Sequence, residues 1–197
     1  KGSRYAERLP IGKKEVIESA SYESIVNFYK DWYRPDLMAV AAVGDFDIKE
    51  IENYIKEHFS KISTPENERK RIDFDIPDHQ ETYFAIASDK EASYSTVALY
   101  YLQKPKEVKD FADYKNQLVH RIFYGILNDR LTELTTSADA PYAFAFADNA
   151  RFVKSSDISV LVVLVKEGGI ERGFESLLRE AERVNQYGFT STELERQ

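Results

Sequence analysis

The run LMAVAAVG, Leu37 to Gly44, restricts the fold more than any other stretch of the chain. It is almost unbroken in apolar character and stops at Gly-Asp, the pattern of a strand buried on both faces. Such a strand needs neighbours on its edges and a layer on each side, and the flanking sequence supplies only helices. Before it, SYESIVNFYKDWYRP sets Ile25, Phe28, Tyr29 and Trp32 at helical spacing, with Ser21 as N-cap and Pro35 beyond the end. After it, Asp47 and Glu50 form a D-x-x-E variant of the capping box, opening a helix with Ile48, Ile51, Ile55 and Phe59 on one face. One strand and two helices are too little to bury this run, so the block is expected to complete a sheet whose other strands lie upstream.

From Ser60 to Arg71 the chain turns polar, carries one proline and loses both hydrophobic periods, which reads as a linker. Beyond it the spacing predicts strands near Thr82 to Ser88 and Thr96 to Leu102, then a long helix from about Val108 to Leu134. AFAFA, Ala143 to Ala147, alternates as a strand does, and ISVLVVLV, Ile158 to Val165, is apolar throughout. Ile170, Phe174, Leu177, Leu178, Ala181 and Val184 mark a further amphipathic helix. The organisation expected is residues 1–60 as the end of one domain, 61–72 as linker and 73–197 as the front part of another. The fold class expected is α/β to α+β, with helices packed on a mostly antiparallel sheet. Gly188 stops a helix, and Thr190 with Glu193 opens a new capping box just before the last residue; both ends are expected to be cuts within a longer polypeptide.

Composition narrows the chemistry. In 197 residues, 43% hydrophobic and 13% aromatic, there is material for a sizeable core. The net charge of -7 is dispersed among mixed acidic and basic residues, so neither a nucleic-acid nor a membrane partner is expected. No apolar run approaches the ~18 residues of a membrane span, and KGSRYAERLP is not a signal peptide. The absence of cysteine excludes disulfides, thiolate nucleophiles and Cys-ligated zinc, and leaves the compartment open.

Zinc requires about three His, Asp or Glu side chains converging at about 2 Å, and helices commonly supply a pair four residues apart. The three histidines, His58, His79 and His120, offer no such pair. His58 fits the end of its helix, where a cation is favoured, and His120, among apolar neighbours, reads as a core or boundary residue. Asp73, Asp75 and Asp78 near His79 could hold a hard cation, but a charged turn around Pro77 accounts for them. GDFDIKE lacks the sixth-position glycine and closing glutamate of a calcium loop, and reads as turn and cap. Gly168-Gly169 could admit an anion at a helix N-terminus, yet a tight turn explains it too, and no GxSxG elbow occurs.

Three phrases nevertheless carry a resemblance: RLPIGKKEVI at Arg8 to Ile17, FYKDWYRPDLMAVAAVGDFD at Phe28 to Asp47, and NDRLTEL with APYAFAFA between Asn128 and Ala147. Together they resemble the pitrilysin or insulinase-type zinc metallopeptidases, family M16, above all its long bacterial members, and the similarity covers nearly the whole chain. The resemblance implies the LuxS/MPP-like metalloprotease fold, with homologous domains paired into a chamber around extended peptides. It also implies zinc in the parent protein, held by an HxxEH helix upstream of the RxPIG phrase. Nothing in this chain matches HxxEH, so it is expected to bind no metal and to be inactive alone, contributing chamber wall and substrate confinement. The partners implied are a peptide or unfolded protein substrate and the remaining M16 domains of the parent. In related peptidases the partner domain offers an Arg and, seven residues later, a Tyr facing the scissile carbonyl. Tyr142 falls at that tyrosine, ahead of a strand where Phe144 and Phe146 are expected to share its face, while Thr135 stands where the Arg would be. A hydroxyl supplies neither the charge nor the fork of donors of a guanidinium. Arg130 is nearby but wrongly spaced. The plain alternative for Tyr142 is a core-packing aromatic at a strand edge. The alternative function is a non-catalytic M16-like structural or peptide-binding subunit. Long bacterial members are often exported to the periplasm, so that compartment is implied as possible.

Overall fold

The computed structural model describes residues 2–8 and 10–197; Lys1 and Leu9, the latter within the RLPIG phrase, lie outside the described residues. The starts of α2, Tyr22–Trp32, and α3, Ile48–Phe59, coincide with side chains that cap them. In α2 the Ser21 hydroxyl accepts the Ser24 amide, and in α3 the Asp47 carboxylate accepts the Glu50 amide at 2.9 Å. Only half of the capping box at Asp47 forms, because the Glu50 carboxylate accepts from the Tyr54 hydroxyl instead. A short α1, Lys14–Ser19, precedes them. Contacts divide the chain into two compact units, Lys1–Phe74 and Asp75–Gln197.

Within the first unit the strand expected at Leu37 to Gly44 does not form. The residues after Leu37 leave a 3-10 turn in extended conformation, and Val43 is 98% exposed. A strand exists by its ladder of hydrogen bonds, and no neighbouring strand occurs among the described residues of this unit. None of the residues of α1, α2 or α3 is buried.

The second unit does build a sheet. Strands β1, Ser95–Gln103, β2, Phe144–Val153, and β3, Ser156–Val165, lie in the order β1-β3-β2 with both pairings antiparallel. The apolar β3 takes the centre, where a strand is flanked on both edges. Helix α4, Phe111–Glu133, packs on β2, and α5, Ile170–Tyr187, packs on β3. The result is α+β, helices on a three-stranded antiparallel sheet. The core joins Leu131 of α4, Ala145 and Ala147 of β2, Val163 and Val165 of β3 and Leu177 of α5. Close approach of α5 to β3 requires Gly173, where a Cβ would collide with Val165. The capping box at Thr190 and Glu193 is complete and opens α6, Ser191–Arg196.

Two expectations fail here. Thr82 to Ser88 forms no strand, and Phe84 and Ile86 point outward, again because the segment finds no ladder partner among the described residues. His120 is exposed on α4 rather than placed in the core or at its boundary.

Candidate functional site

The end of α4 and the entry to β2 bring together the residues singled out from sequence. The last carbonyls of a helix have no partner within it, so nearby donors are drawn to them. Tyr142 donates its hydroxyl to the Leu131 carbonyl at 2.9 Å, and Thr135 donates to the Thr132 carbonyl at 2.7 Å. Both hydroxyls are therefore held on backbone of the same helix end.

Tyr142 is 4% exposed and belongs to the core with Ala145 and Ala147. Burial, with the negative Glu180 as a lesser influence, pushes its phenol up to about 12. At neutral pH the group is a protonated donor. It does not share a face with Phe144 and Phe146, as the alternation predicts; Phe144 is 51% exposed while Ala145 and Ala147 face the core. The period of two begins only at Phe144, and Tyr142 lies in the irregular approach before it. The two phenylalanine rings meet at 5.7 Å on the opposite face of the sheet.

Two neighbours organise this corner. Asn128 pairs its amide with both backbone groups of Ala147, donating to its carbonyl at 2.9 Å and accepting its amide at 2.7 Å. That side chain occupies one rung on the open edge of β2 and fixes α4 against the strand. Arg130 forks onto Glu193, with Nη2 to carboxylate oxygen at 2.8 Å, and also donates to Glu180 at 3.2 Å and to the Gly188 carbonyl at 3.1 Å. Its guanidinium lies over Phe189 at 5.0 Å. The hydrogen bond from Arg130, followed by that from the Thr190 amide, holds the Glu193 carboxyl far below its ordinary range, and the same pair raises Arg130. Arg130 therefore locks α4, α5 and α6 together. Sequence reasoning dismissed it on spacing and missed Asn128; the signal available was the polar pair on an otherwise apolar helical stretch, NDRL.

The donors available to zinc do not fit a site. His58 is exposed near the end of α3, and His120 is exposed on α4. His79 places Nδ1 2.7 Å from the Glu81 carbonyl and its ring against Tyr83 at 4.4 Å. Among the described residues no three His, Asp or Glu side chains gather where they could hold a metal ion, the aspartates around Pro77 included. Asp47 is engaged as a cap, and Gly168, at φ 75°, makes the turn from β3 into α5. Among the described residues no helix is long and apolar enough to cross a membrane.

Comparison with known proteins gives a consistent result. The family model described as the peptidase M16 inactive domain matches residues 19–197. The chain is 36% identical over 180 residues to a zinc protease PQQL-like protein of Arabidopsis thaliana, covering 90% of this chain and 18% of that protein. It is 27% identical over 194 residues to the probable zinc protease PqqL of Haemophilus influenzae, covering 98% and 21%. The first half of the periplasmic protease PqqL from Escherichia coli superposes with a TM-score of 0.79 at 25% identity, covering 98% of this chain and 42% of that structure. The chain spans about a fifth of the length of the curated relatives it matches.

Proposed function

Since the chain belongs to the peptidase M16 family and matches its inactive domain, we propose that it is the confining, non-metal-binding part of a zinc-dependent metalloendopeptidase. The observation that carries this reading is the match of residues 19–197 to the peptidase M16 inactive domain. Residues 1–60 serve as the end of a preceding M16-like domain, 61–72 as linker and 73–197 as the front part of the next. The exposed apolar faces of α3 and of the Met38 to Val43 segment are covered by the rest of the parent polypeptide, which supplies the strands that complete their sheet. Zinc and the general base belong to that remainder, and the substrate is a peptide or unfolded protein. The periplasmic location of the Escherichia coli relative extends to this protein.

Tyr142 acts in confinement. In the arrangement described it does so by tying the end of α4 to the entry of β2, which sets the position of the exposed Phe144 and half-buried Phe146 rings. A direct contact with the scissile carbonyl requires its hydroxyl to leave Leu131. The second reading, a non-catalytic peptide-binding subunit, is favoured by one observation: Thr135, in place of arginine, turns its hydroxyl onto its own helix.

The parent polypeptide and this 197-residue segment, assayed side by side on an unstructured peptide, test the proposal. The parent is expected to retain zinc through dialysis and to cleave in a chelator-sensitive way, and the segment to do neither. Zinc-dependent cleavage by the segment overturns the assignment; an inert parent that still binds peptide supports the second reading.

A further inference from the structure

The first unit contains a cavity of about 630 Å³ whose walls depart from the character of the chain around it. The whole sequence carries a charge of -7, yet among the described residues this cavity is lined by Arg4, Arg8, Arg69, Lys70 and Arg71 and by no carboxylate. Its volume lies within the ~300–1,000 Å³ of ligand sites.

The cations are oriented as well as gathered. Arg4 lies over the Phe74 ring at 4.8 Å, and Arg69 over the Trp32 ring at 5.6 Å. A guanidinium resting on an aromatic face keeps its N–H edges free for in-plane acceptors. Arg69 is partly balanced, donating to Asp31 at 2.9 Å. Arg8, Lys70 and Arg71 have no ion-pair partner among the described residues. Behind Arg69 sits Arg34, 5% exposed, which donates from Nη2 to the Arg69 carbonyl at 3.2 Å while its Nη1 and Nε make no hydrogen bond. Asp36 approaches that Nε at 3.4 Å as a charge partner. Holding these like charges around one cavity focuses positive potential there, and a bound anion relieves their repulsion.

The layout distinguishes kinds of anion. Phe28, Leu37 and Ile72 give the cavity an apolar side between its cations. The Phe74 and Trp32 rings each already carry a guanidinium, which leaves no clear pair of faces to sandwich a nucleobase. Several carboxylates spaced about an apolar side chain match this arrangement better than one dense phosphate group. We propose that the cavity binds an acidic peptide segment in which aspartates or glutamates flank an apolar residue. This site is built from other residues than the Tyr142 corner, and the proposal does not depend on whether the parent hydrolyses peptides.

The test uses the parent polypeptide with chelator present, so that cleavage does not consume the probe. A fluorescein-labelled Glu-Glu-Phe-Glu-Glu peptide is titrated by anisotropy beside its Gln-Gln-Phe-Gln-Gln counterpart. The acidic peptide is expected to bind at least about tenfold more tightly, and to weaken between about 50 and about 300 mM salt. The double variant Lys70→Glu, Arg71→Glu, at two exposed positions, is expected to weaken it about tenfold or more, with circular dichroism unchanged. Lys49→Gln, an exposed cation outside the cavity, is expected to leave it unaltered. Equal binding of the glutamine peptide, equal loss in Lys49→Gln, or indifference to the double variant overturns the proposal. Tripolyphosphate that binds the same residues more tightly than the peptide also overturns it, in favour of a phosphate site.

Discussion

Helices α3 and α5 have the same amphipathic period, and α3 even has the firmer start, an Asp47 cap where α5 begins at Gly169 without one, but only α5 has somewhere to put its apolar face. Leu177 and Val184 of α5 sit in the core against β3, whereas Ile48 of α3 is 77% exposed and nothing on that helix is buried. The contrast extends to the units that hold them. Asp75–Gln197 encloses a cluster joining two helices and two strands, while among the described residues of Lys1–Phe74 only Arg34 is buried. Amphipathic pattern creates the demand for a partner surface, and only a neighbouring element meets it.

The largest effect that would sharpen this comparison comes from separating the units. Residues 75–197 are expected to unfold in one cooperative thermal transition followed by circular dichroism, and residues 1–74 to show none and to bind the dye ANS. A sharp transition in 1–74 breaks the comparison. Next, Leu177→Ala, at a position with no exposure, is expected to cost roughly 2–5 kcal/mol in urea unfolding of the 197-residue chain. Ile48→Ala in the same chain is expected to stay within about 0.5 kcal/mol, yet to become destabilising in the parent, where the helix face is covered.

Smaller is the effect of Arg130→Ala, which leaves Glu180, only 7% exposed in its side chain, with Arg183 at 3.3 Å as its remaining partner and removes the tie between α4 and α6. A loss of about 2 kcal/mol is expected. Glu193 is held below its ordinary value of 4.5, so its contribution is present above that pH and is lost as pH falls. The gap between parent and Arg130→Ala should accordingly narrow in acid, read as converging urea midpoints.

The smallest effect belongs to Tyr142→Phe, which leaves the Leu131 carbonyl without its donor at a cost of about 1 kcal/mol. Because burial raises this phenol from 10.0 to about 12, its contribution is intact below pH 10 and is lost as pH climbs through that interval. Comparing the two proteins from pH 9 upward, the wild type should lose stability more steeply than the phenylalanine variant. Parallel curves would remove the burial argument. Unchanged peptide turnover by the parent carrying Tyr142→Phe would leave the residue as packing alone.

Local features were the legible ones. Ser21, Asp47 and Thr190 could be read as caps because each bond spans three residues, and α4, α5 and β2 followed from periods, β3 from an unbroken apolar run, within a single segment. The failures share a cause. Leu37 to Gly44 and Thr82 to Ser88 have strand composition, but a strand also needs a ladder from residues distant in sequence. Tyr142 was placed with Phe144 by extending an alternation one step beyond the strand that enforces it. The Asn128 rung, spanning 19 residues, and the Arg130 to Glu193 pair, spanning 63, left no periodic trace at all.

By itself, then, the sequence determined where helices begin, which segments are apolar on one face, and, through RxPIG and its companion phrases, which family the chain resembles. Tertiary structure alone decided which of those faces are covered, which way Tyr142 turns, and that arginines from Arg4 to Arg71 meet around one cavity. Caps and periods are set by neighbours along the chain, whereas burial, ladders and the gathering of like charges depend on which distant residues arrive beside them.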